Sequence, residues 1–204
     1  MTTGLATRVG LFGGAFDPPH RTHVALAEAA IAQLNLDILH VVPTGQAWHK
    51  QRPLSTAEHR LAMCRLAFAG VRGVTVDARE TLRDGPTYTF DTLQDMKALY
   101  PAAQLFLIMG GDQARAFHTW HRADELRRAA TICVASRTDS KPIDGSHTSD
   151  KALQDLEFQA VQLPPSPLSA TEIRDMTARG HCVAPLVFES VARYIDQHHL
   201  YRTA

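Results

Sequence analysis

Apolar and polar positions along the chain form two alternating patterns, one typical of buried strands and one typical of helices packed on a sheet. Short apolar runs predict five strands, at residues 8–12, 38–42, 74–76, 104–109 and 131–135. Helical spacing between them predicts helices at residues 24–34, 56–68 and 90–99 and a helical region through 126. The pattern therefore predicts an α/β fold, a doubly wound, Rossmann-like parallel sheet with helices on both faces.

The last third of the chain departs from this alternation. Residues 139–150 (DSKPIDGSHTSD) have the composition of a mobile surface loop. Residues 163–168 (LPPSPL) are expected to be extended, because proline restricts its own backbone and that of the preceding residue. Helices are predicted at 169–178 and 185–198. We expect a single domain, 1–204, in which residues 163–204 form a small C-terminal helical part.

Composition and charge narrow the class of protein. The 204 residues include 21 Lys and Arg and 21 Asp and Glu, giving no net charge. Proteins that coat nucleic acid or anionic membranes carry surplus basic residues, so we expect neither partner and favour a small ligand.

The expected location is the cytoplasm. No apolar run approaches the roughly 20 residues of a membrane helix, and the N-terminus lacks a signal-peptide pattern. Cys64, Cys133 and Cys182 lie in apolar stretches and are predicted to be reduced core thiols. The sequence is compatible with a homo-oligomer and leaves the oligomeric state open.

The segment between the first strand and the first helix carries the strongest chemical signal. It reads GLFGGAFDPPHRTH (residues 10–23), which is neither a Walker A loop nor a GxGxxG fingerprint. Gly13 and Gly14 allow the backbone to approach a ligand closely. His20 and His23 lie three residues apart at a helix start, beside free N–H groups that favour phosphate. We expect no metal site here, because HxxH lacks the HExxH spacing and no nearby Cys or carboxylate pattern completes four ligands.

This loop resembles the GxFDPxHxGH signature of the HxGH nucleotidyltransferase superfamily. The double glycine and both histidines are most similar to the bacterial nicotinate-mononucleotide adenylyltransferases, which use ATP to make deamido-NAD. Thr22 departs from the signature, since the family has glycine there; its side chain either crowds the adenine or ribose side of the pocket or faces solvent. The related pantetheine-phosphate adenylyltransferases typically have threonine in place of His20.

A second signature of this family is similar to LSATEIR, residues 168–174. Ser169 and Thr171 at a helix start supply a capping hydroxyl and free amides, and Arg174 supplies a guanidinium fork for phosphate oxygens. Taken alone, the segment also fits a capped helix with a surface arginine.

Two further segments, GPTYTFDTL and GGDQARAFHTW, match the family by residue type and order. The resemblance implies that Thr87, Tyr88 and Thr89 lie by the pyridine nucleotide and that Trp120 stacks on the nicotinate ring. It also implies that Asp112 holds ribose or the loop. Core packing is the alternative for Tyr88 and Trp120, and a helix cap is the alternative for Asp112.

Basic residues on two other loops complete the candidate set. His49 and Lys50 follow the second strand, where the family often has Pro-His-Lys or Pro-His-Arg, and Arg137 follows the apolar run TICVA. The resemblance implies that all three reach phosphate groups. Single basic residues on loops are otherwise solvated.

The reaction that the resemblance implies is adenylyl transfer from ATP to nicotinate mononucleotide, with Mg²⁺ bound to the ATP phosphates. It assigns catalysis to His20, His23 and Arg174. The implied ATP-binding residues are Gly13, Gly14, Phe16, His20, His23, Gly110, Asp112, Arg137, Ser169, Thr171 and Arg174. The implied residues for the second substrate are Gly14, Ala15, His49, Lys50, Thr87, Tyr88, Thr89 and Trp120.

Three other functions stay open on the sequence. A sibling enzyme would use nicotinamide mononucleotide, phosphopantetheine or glycerol phosphate. The hydrogen-bond donors that would distinguish the nicotinate carboxylate from the nicotinamide amide cannot be identified from the sequence. A nucleotide-binding sensor would keep the pocket without chemistry, which the intact His20, His23 and Arg174 argue against. A flavodoxin-like interaction module shares the fold pattern but explains none of the histidines.

Overall fold

The computed structural model describes residues 7–45, 54–137, 156–164, 166 and 168–202. In this part of the chain one sheet contains β1 (Arg8–Gly14), β2 (Ile38–Pro43), β3 (Val74–Val76), β4 (Gln104–Met109), β5 (Thr131–Arg137) and β6 (Gln159–Leu163). The helices around it are α1 (Arg21–Leu34), α2 (Ala57–Phe68), α3 (Thr89–Leu99), α4 (Gly111–Arg115), α5 (Ala123–Ala129), α6 (Ala170–Ala178) and α7 (Glu189–Gln197).

The sheet is parallel throughout and has the strand order β3-β2-β1-β4-β5-β6. Strand order reverses between β1 and β4, and in such sheets ligands bind beyond the carboxyl ends of the strands at this reversal. The predicted doubly wound α/β fold, with C-terminal helices, is therefore confirmed.

Each face of the sheet has its own apolar core, which explains why the strands are apolar at consecutive positions. Val9 and Leu11 of β1 pack on the face that α3 and α5 cover, while Phe12 packs on the opposite face, covered by α1, α2 and α7. Because side chains alternate across a strand, a strand covered on both sides needs apolar residues in succession.

One strand, β6, was not predicted. Its sequence, QAVQL, has one glutamine at an exposed position (Gln159) and one at a half-buried position (Gln162), which interrupts the apolar pattern. Within the described sheet β6 pairs with β5 alone. The Gln33 side chain satisfies the other edge: Nε2 donates to the Gln162 carbonyl oxygen and Oε1 accepts from the Gln162 N–H, both at 2.9 Å. The Gln33 side-chain amide thus makes the hydrogen bonds that a neighbouring strand would otherwise make at this edge of the sheet. Such a side-chain contact cannot be predicted from the pattern of apolar residues.

Helices α1 and α2 begin at other residues than predicted, because the N-cap residue determines where each helix starts. Helix α1 begins at Arg21, three residues before the predicted start, because His20 is its N-cap. The cap of α2 is Thr56, whose hydroxyl accepts from the His59 N–H at 3.4 Å, so this helix begins at Ala57, one residue after the predicted start at 56. The predicted Ser169 cap of α6 is confirmed by its hydrogen bond from the Glu172 N–H at 3.2 Å.

The remaining differences are local. Helix α7 is shorter than the predicted 185–198, since the chain before Glu189 forms turns. Burial raises the pKa of the Cys64 and Cys133 thiols, as expected for core cysteines. Cys182 is exposed, so its placement in the core was wrong; in the segment HCVAPL it is Val183 that is buried. The predicted loop at 139–150 lies outside the described residues. None of the described helices has the length and apolar character to cross a membrane.

Candidate active site

A cleft of about 1180 Å³ lies beyond the carboxyl ends of β1 and β4, where the strand order reverses. Most of its lining comes from the loop after β1, the residues before α3, the residues after β4, and the start of α6. Thr44, Ala135 and Leu163 also contribute. The predicted site residues that the structure brings together here are Gly13, Gly14, Ala15, Phe16, His20, His23, Thr87, Tyr88, Thr89, Gly110, Asp112, Trp120, Ser169, Thr171 and Arg174.

For three predicted site residues, the described part of the structure does not include the side chain. His49 and Lys50 lie outside the described residues. Arg137 is the last residue of β5, but its side chain is outside the described part of the chain.

The two histidines of the first loop are in direct contact. The His20 backbone N–H donates to Nδ1 of His23 at 3.1 Å, and the two rings stack with their centroids 3.7 Å apart. A nitrogen that accepts a hydrogen bond carries no proton, so the ring proton of His23 is on Nε2. The hydrogen-bond network therefore fixes the tautomer of His23 and makes Nε2 a donor.

The backbone before the histidines is shaped by one aromatic side chain. Phe16 has a left-handed φ of +48°, and its buried ring packs edge-on against His23 with centroids 5.1 Å apart. A Cβ on Gly14 would lie 3.1 Å from the Phe16 ring, which explains that glycine. A Cβ on Gly13 would meet no protein atom within 4 Å, so Gly13 instead leaves the cleft wall open to a ligand.

A buried arginine holds this loop to two other segments. Arg60 is 1% exposed, and its guanidinium donates to the carbonyl oxygens of Ser55 (2.9 Å), Ala15 (3.0 Å) and Gly45 (2.9 Å). Burial lowers the pKa of Arg60, which nearby acidic groups oppose. The role of Arg60 was not predicted, although an arginine at a helical spacing that otherwise carries Met63, Cys64 and Ala67 is a sign of a buried charge.

Asp17 connects the same loop to the C-terminal part of the chain. Its buried carboxylate accepts hydrogen bonds from the Tyr201 hydroxyl at 2.6 Å and from the Ser55 N–H at 3.3 Å. The carbonyl oxygen of Asp17 accepts from Arg174 at 2.8 Å, and the same guanidinium donates to the Thr171 hydroxyl at 2.9 Å. Burial, together with the Asp17 charge, raises the pKa of Tyr201. Arg174 is therefore held at the edge of the cleft.

The other half of the cleft is aromatic. Tyr88 packs against the ring of His121 with centroids 4.3 Å apart, and Trp120 packs against Phe117 with centroids 5.4 Å apart. Trp120 is only half-buried, so one part of the indole contacts the core and another part lines the cleft. His121 was not singled out in the sequence, although it directly follows Trp120.

A buried carboxyl lies behind this aromatic half. Glu80 lines the cleft and accepts a hydrogen bond from the Thr92 hydroxyl at 2.7 Å, and burial raises the pKa of its carboxyl. A Cβ on Gly45 would lie 2.1 Å from the Glu80 carbonyl oxygen and 2.9 Å from the Thr87 methyl carbon, so these backbones are in close contact. No pattern in the sequence marked Glu80.

Thr22 lies in the cleft wall and is half-buried. Its hydroxyl oxygen is 2.7 Å from the hydroxyl oxygen of Ser166, on the segment that precedes α6. The Thr22 side chain therefore contacts the segment before α6.

A doubly wound sheet with a histidine pair and a helix N-terminus at its switch point is the arrangement of a nucleotidyltransferase. Residues 11–176 match the cytidylyltransferase-like family, and the chain belongs to that family. It is 53% identical over 197 residues to a protein of Albidiferax ferrireducens described as a "probable nicotinate-nucleotide adenylyltransferase", covering 97% of this chain and 99% of that one. It is 41% identical to a protein of the same description from Methylibium petroleiphilum, covering 98% and 95%. Within the larger family, the chain belongs to the nicotinate-nucleotide adenylyltransferases.

Solved structures share the fold. The nicotinic acid mononucleotide adenylyltransferase of Plasmodium falciparum, complexed with NaAD, superposes with a TM-score of 0.76 at 18% identity, covering 96% of this chain and 97% of that one. A second structure of the same protein, complexed with APC, has a TM-score of 0.74. At this identity the agreement concerns the arrangement of strands and helices.

The burial of His20 predicts a pH dependence of stability. His20 is 6% exposed, and burial lowers its pKa from 6.5 to about 4. Between those values the unfolded chain binds a proton that the folded protein does not, so the free energy of unfolding falls as the pH drops from about 6.5 to about 4. The loss attributable to His20 is on the order of 3 kcal/mol.

Urea unfolding at pH 7 and pH 4.5 checks this prediction. We expect His20→Gln to lose less stability than the wild type over this interval, and the exposed His181→Gln control to behave like the wild type. Equal losses in the wild type and His20→Gln would show that His20 is not held neutral by burial.

Proposed function

We propose that this cleft transfers the adenylyl group of ATP to the phosphate of nicotinate mononucleotide, giving nicotinate adenine dinucleotide and pyrophosphate in NAD biosynthesis. One observation carries the proposal: a single cleft joins a histidine pair and two helix N-termini on one side to an aromatic surface on the other. The first half suits a polyphosphate, and the second suits a flat aromatic ring. Family membership supports the choice of these two substrates.

In the proposed reaction a phosphate oxygen of nicotinate mononucleotide attacks the α-phosphorus of ATP in line. A new phosphorus–oxygen bond forms while the bond from the α-phosphorus to the bridging oxygen breaks, and pyrophosphate leaves with that electron pair. The protein supplies no nucleophile in this scheme. Its contribution is to hold two anions in line and to stabilise the charge on the transferring group.

ATP is proposed to bind along the first loop and the start of α6. The Nε2–H of His23 donates to a phosphoryl oxygen, and buried His20 supplies a second neutral imidazole. Ser169, Thr171 and Arg174 place amides, a hydroxyl and a cation at the α6 N-terminus. Residues 163–204 thus complete the ATP side of one domain. The remaining proposed ATP ligands are Gly13, Gly14, Phe16, Gly110, Asp112 and Arg137.

Nicotinate mononucleotide is proposed to bind in the aromatic half. Trp120 stacks on the pyridine ring, and the backbone and side chains of Thr87, Tyr88 and Thr89 surround it. Gly14 and Ala15, which also line the cleft, are proposed to contact this substrate, and His49 and Lys50 to supply phosphate contacts.

Mg²⁺ is proposed to enter bound to ATP, as part of the substrate, and to neutralise phosphate charge. The donor set fits this view. The carboxylates lining the cleft are Asp17, Glu80 and Asp112, and each already accepts a hydrogen bond from another group of the protein. Among the described residues no group of three His, Cys, Asp or Glu side chains is arranged to hold an ion. Mg²⁺ readily keeps water and phosphate oxygens as ligands.

We place the reaction in the cytoplasm. Cys64, Cys133 and Cys182 are all unpaired, including the exposed Cys182, which fits a reducing compartment.

His23→Ala removes the proposed transition-state donor. We expect turnover to fall by about 10²-fold, the loss typical of one preorganised donor. Steady-state pyrophosphate release measures the effect, with circular dichroism to verify folding. The exposed His118→Ala, outside the cleft, is the matched control. Near-normal turnover in folded His23→Ala would remove His23 from the chemistry.

Trp120→Ala removes the proposed stacking surface. We expect KM for nicotinate mononucleotide to rise by about 10-fold and KM for ATP to change little, because stacking contributes on the order of 1 kcal/mol. Initial rates with each substrate varied in turn separate the two constants. Equal increases in both would indicate that Trp120 supports the fold of the cleft instead.

The function itself is tested by supplying MgATP with one acceptor at a time and measuring pyrophosphate. We expect rapid release with nicotinate mononucleotide alone. Faster release with nicotinamide mononucleotide or phosphopantetheine would assign the chain to a sibling activity, and no release with any acceptor would favour a nucleotide sensor.

A further inference from the structure

Two residues that lie 144 positions apart connect the segments proposed to hold ATP. Thr22 is the second residue of α1, between His20 and His23, and its hydroxyl oxygen lies 2.7 Å from that of Ser166. Ser166 precedes the α6 N-cap, Ser169, by three residues. The hydrogen bond therefore connects α1, the helix that begins after His20, to the segment that precedes α6.

Ser166 is held on its own side of the cleft as well. Its hydroxyl oxygen accepts a hydrogen bond from the Leu168 N–H at 3.4 Å. A hydroxyl has one proton and two lone pairs, so Ser166 can accept from Leu168 while it donates to Thr22. Through Ser166, the contact with Thr22 is thereby linked to the backbone N–H of Leu168, two residues before the start of α6.

A second contact joins the same two parts at the other end of the first loop. Arg174, one turn into α6, donates to the carbonyl oxygen of Asp17 at 2.8 Å. Together the Thr22–Ser166 and Asp17–Arg174 contacts attach α6 to the first loop on either side of His20. Ser169 and Thr171 lie between these two points of attachment.

Threonine suits this position for a physical reason. Its β-branched side chain has few rotamers, so the hydroxyl is directed with little loss of entropy. The glycine of the similar signature has no side chain and cannot make this bond. Where the signature has glycine, this chain therefore has a side chain that connects α1 to the segment before α6.

We propose that Thr22 and Ser166 are positioning residues for ATP, whose hydrogen bond holds the α6 N-terminus at the correct distance from His20 and His23 before ATP binds. The proposal rests on the proposed function. Loss of the bond leaves the α6 N-terminus to be ordered by ATP itself, which weakens ATP binding. The aromatic half is built by other loops and is expected to be unaffected.

Four variants test the hydrogen bond. Thr22→Val keeps the shape of the side chain without its hydroxyl, Ser166→Ala removes the partner hydroxyl, the double variant removes both, and Thr22→Ser keeps the hydroxyl. The control is Thr177→Val, the same substitution at a threonine outside the cleft lining. It removes a hydrogen bond within α6, from the Thr177 hydroxyl to the Ile173 carbonyl oxygen at 2.8 Å.

We expect Thr22→Val, Ser166→Ala and the double variant each to raise KM for ATP by about fivefold, the usual effect of one hydrogen bond. KM for nicotinate mononucleotide and kcat at saturating ATP should stay within about twofold, because bound ATP restores the arrangement. Thr22→Ser and Thr177→Val should resemble the wild type. Because each single variant removes the same bond, their effects should not add in the double variant.

Unchanged KM for ATP in both single variants would overturn the proposal, as would additive effects or equal increases in both KM values. If Thr22→Val does not fold, Ser166→Ala decides the question from the other side of the bond. Wild-type protein that fails to release pyrophosphate with nicotinate mononucleotide would contradict the proposed function instead; calorimetric titration with ATP would then still test the hydrogen bond, with the same expected fivefold change in Kd.

Discussion

The cleft depends on a guanidinium that is almost completely withdrawn from water. The N–H groups of Arg60 donate hydrogen bonds to the carbonyl oxygens of Ala15, Gly45 and Ser55. None of these three residues belongs to a helix or a strand. A buried charge is costly unless its hydrogen bonds are complete, and backbone carbonyl groups are equally costly when left unpaired. Here the Arg60 guanidinium gives the three carbonyl oxygens their donors, and the carbonyl oxygens give the buried charge its hydrogen-bond partners. Loops of Gly and Pro residues, which have no regular structure of their own, are thereby given one conformation.

That conformation connects the beginning of the chain to its end. Asp17 lies in the same loop and binds Tyr201 and Arg174, so the first loop, α6 and the C-terminal residues form one polar cluster. The cluster presents the histidine pair: the His20 N–H fixes the tautomer of His23, and the Phe16 ring supports His23 from the side. The chemistry proposed for the cleft therefore relies on groups that are ordered before any substrate binds, which is what electrostatic catalysis requires.

Much of this was predictable from the sequence, and the exceptions have physical causes. Predominantly apolar runs identified β1 to β5, because a strand covered on both faces has few positions that face solvent. The edge strand β6 escaped that rule, since Gln33 and not another strand completes its hydrogen bonds. Cys182 was misplaced because apolar neighbours do not fix which way one side chain faces. Motif residues that line the cleft were found by resemblance, whereas the Thr22–Ser166 contact depends on packing between distant segments, which no local pattern encodes.

The central claim is that hydrogen bonds within the protein hold His23 ready to donate from Nε2. Two-bond ¹H–¹⁵N correlation spectra of the imidazole rings at pH 7, with His23→Gln used to assign the signals, test it most directly. The account predicts a His23 ring with an unprotonated Nδ1 and a protonated Nε2 in the protein without substrate. A ring protonated on Nδ1, alone or together with Nε2, would contradict it, because Nδ1 then has no lone pair to accept from the His20 N–H.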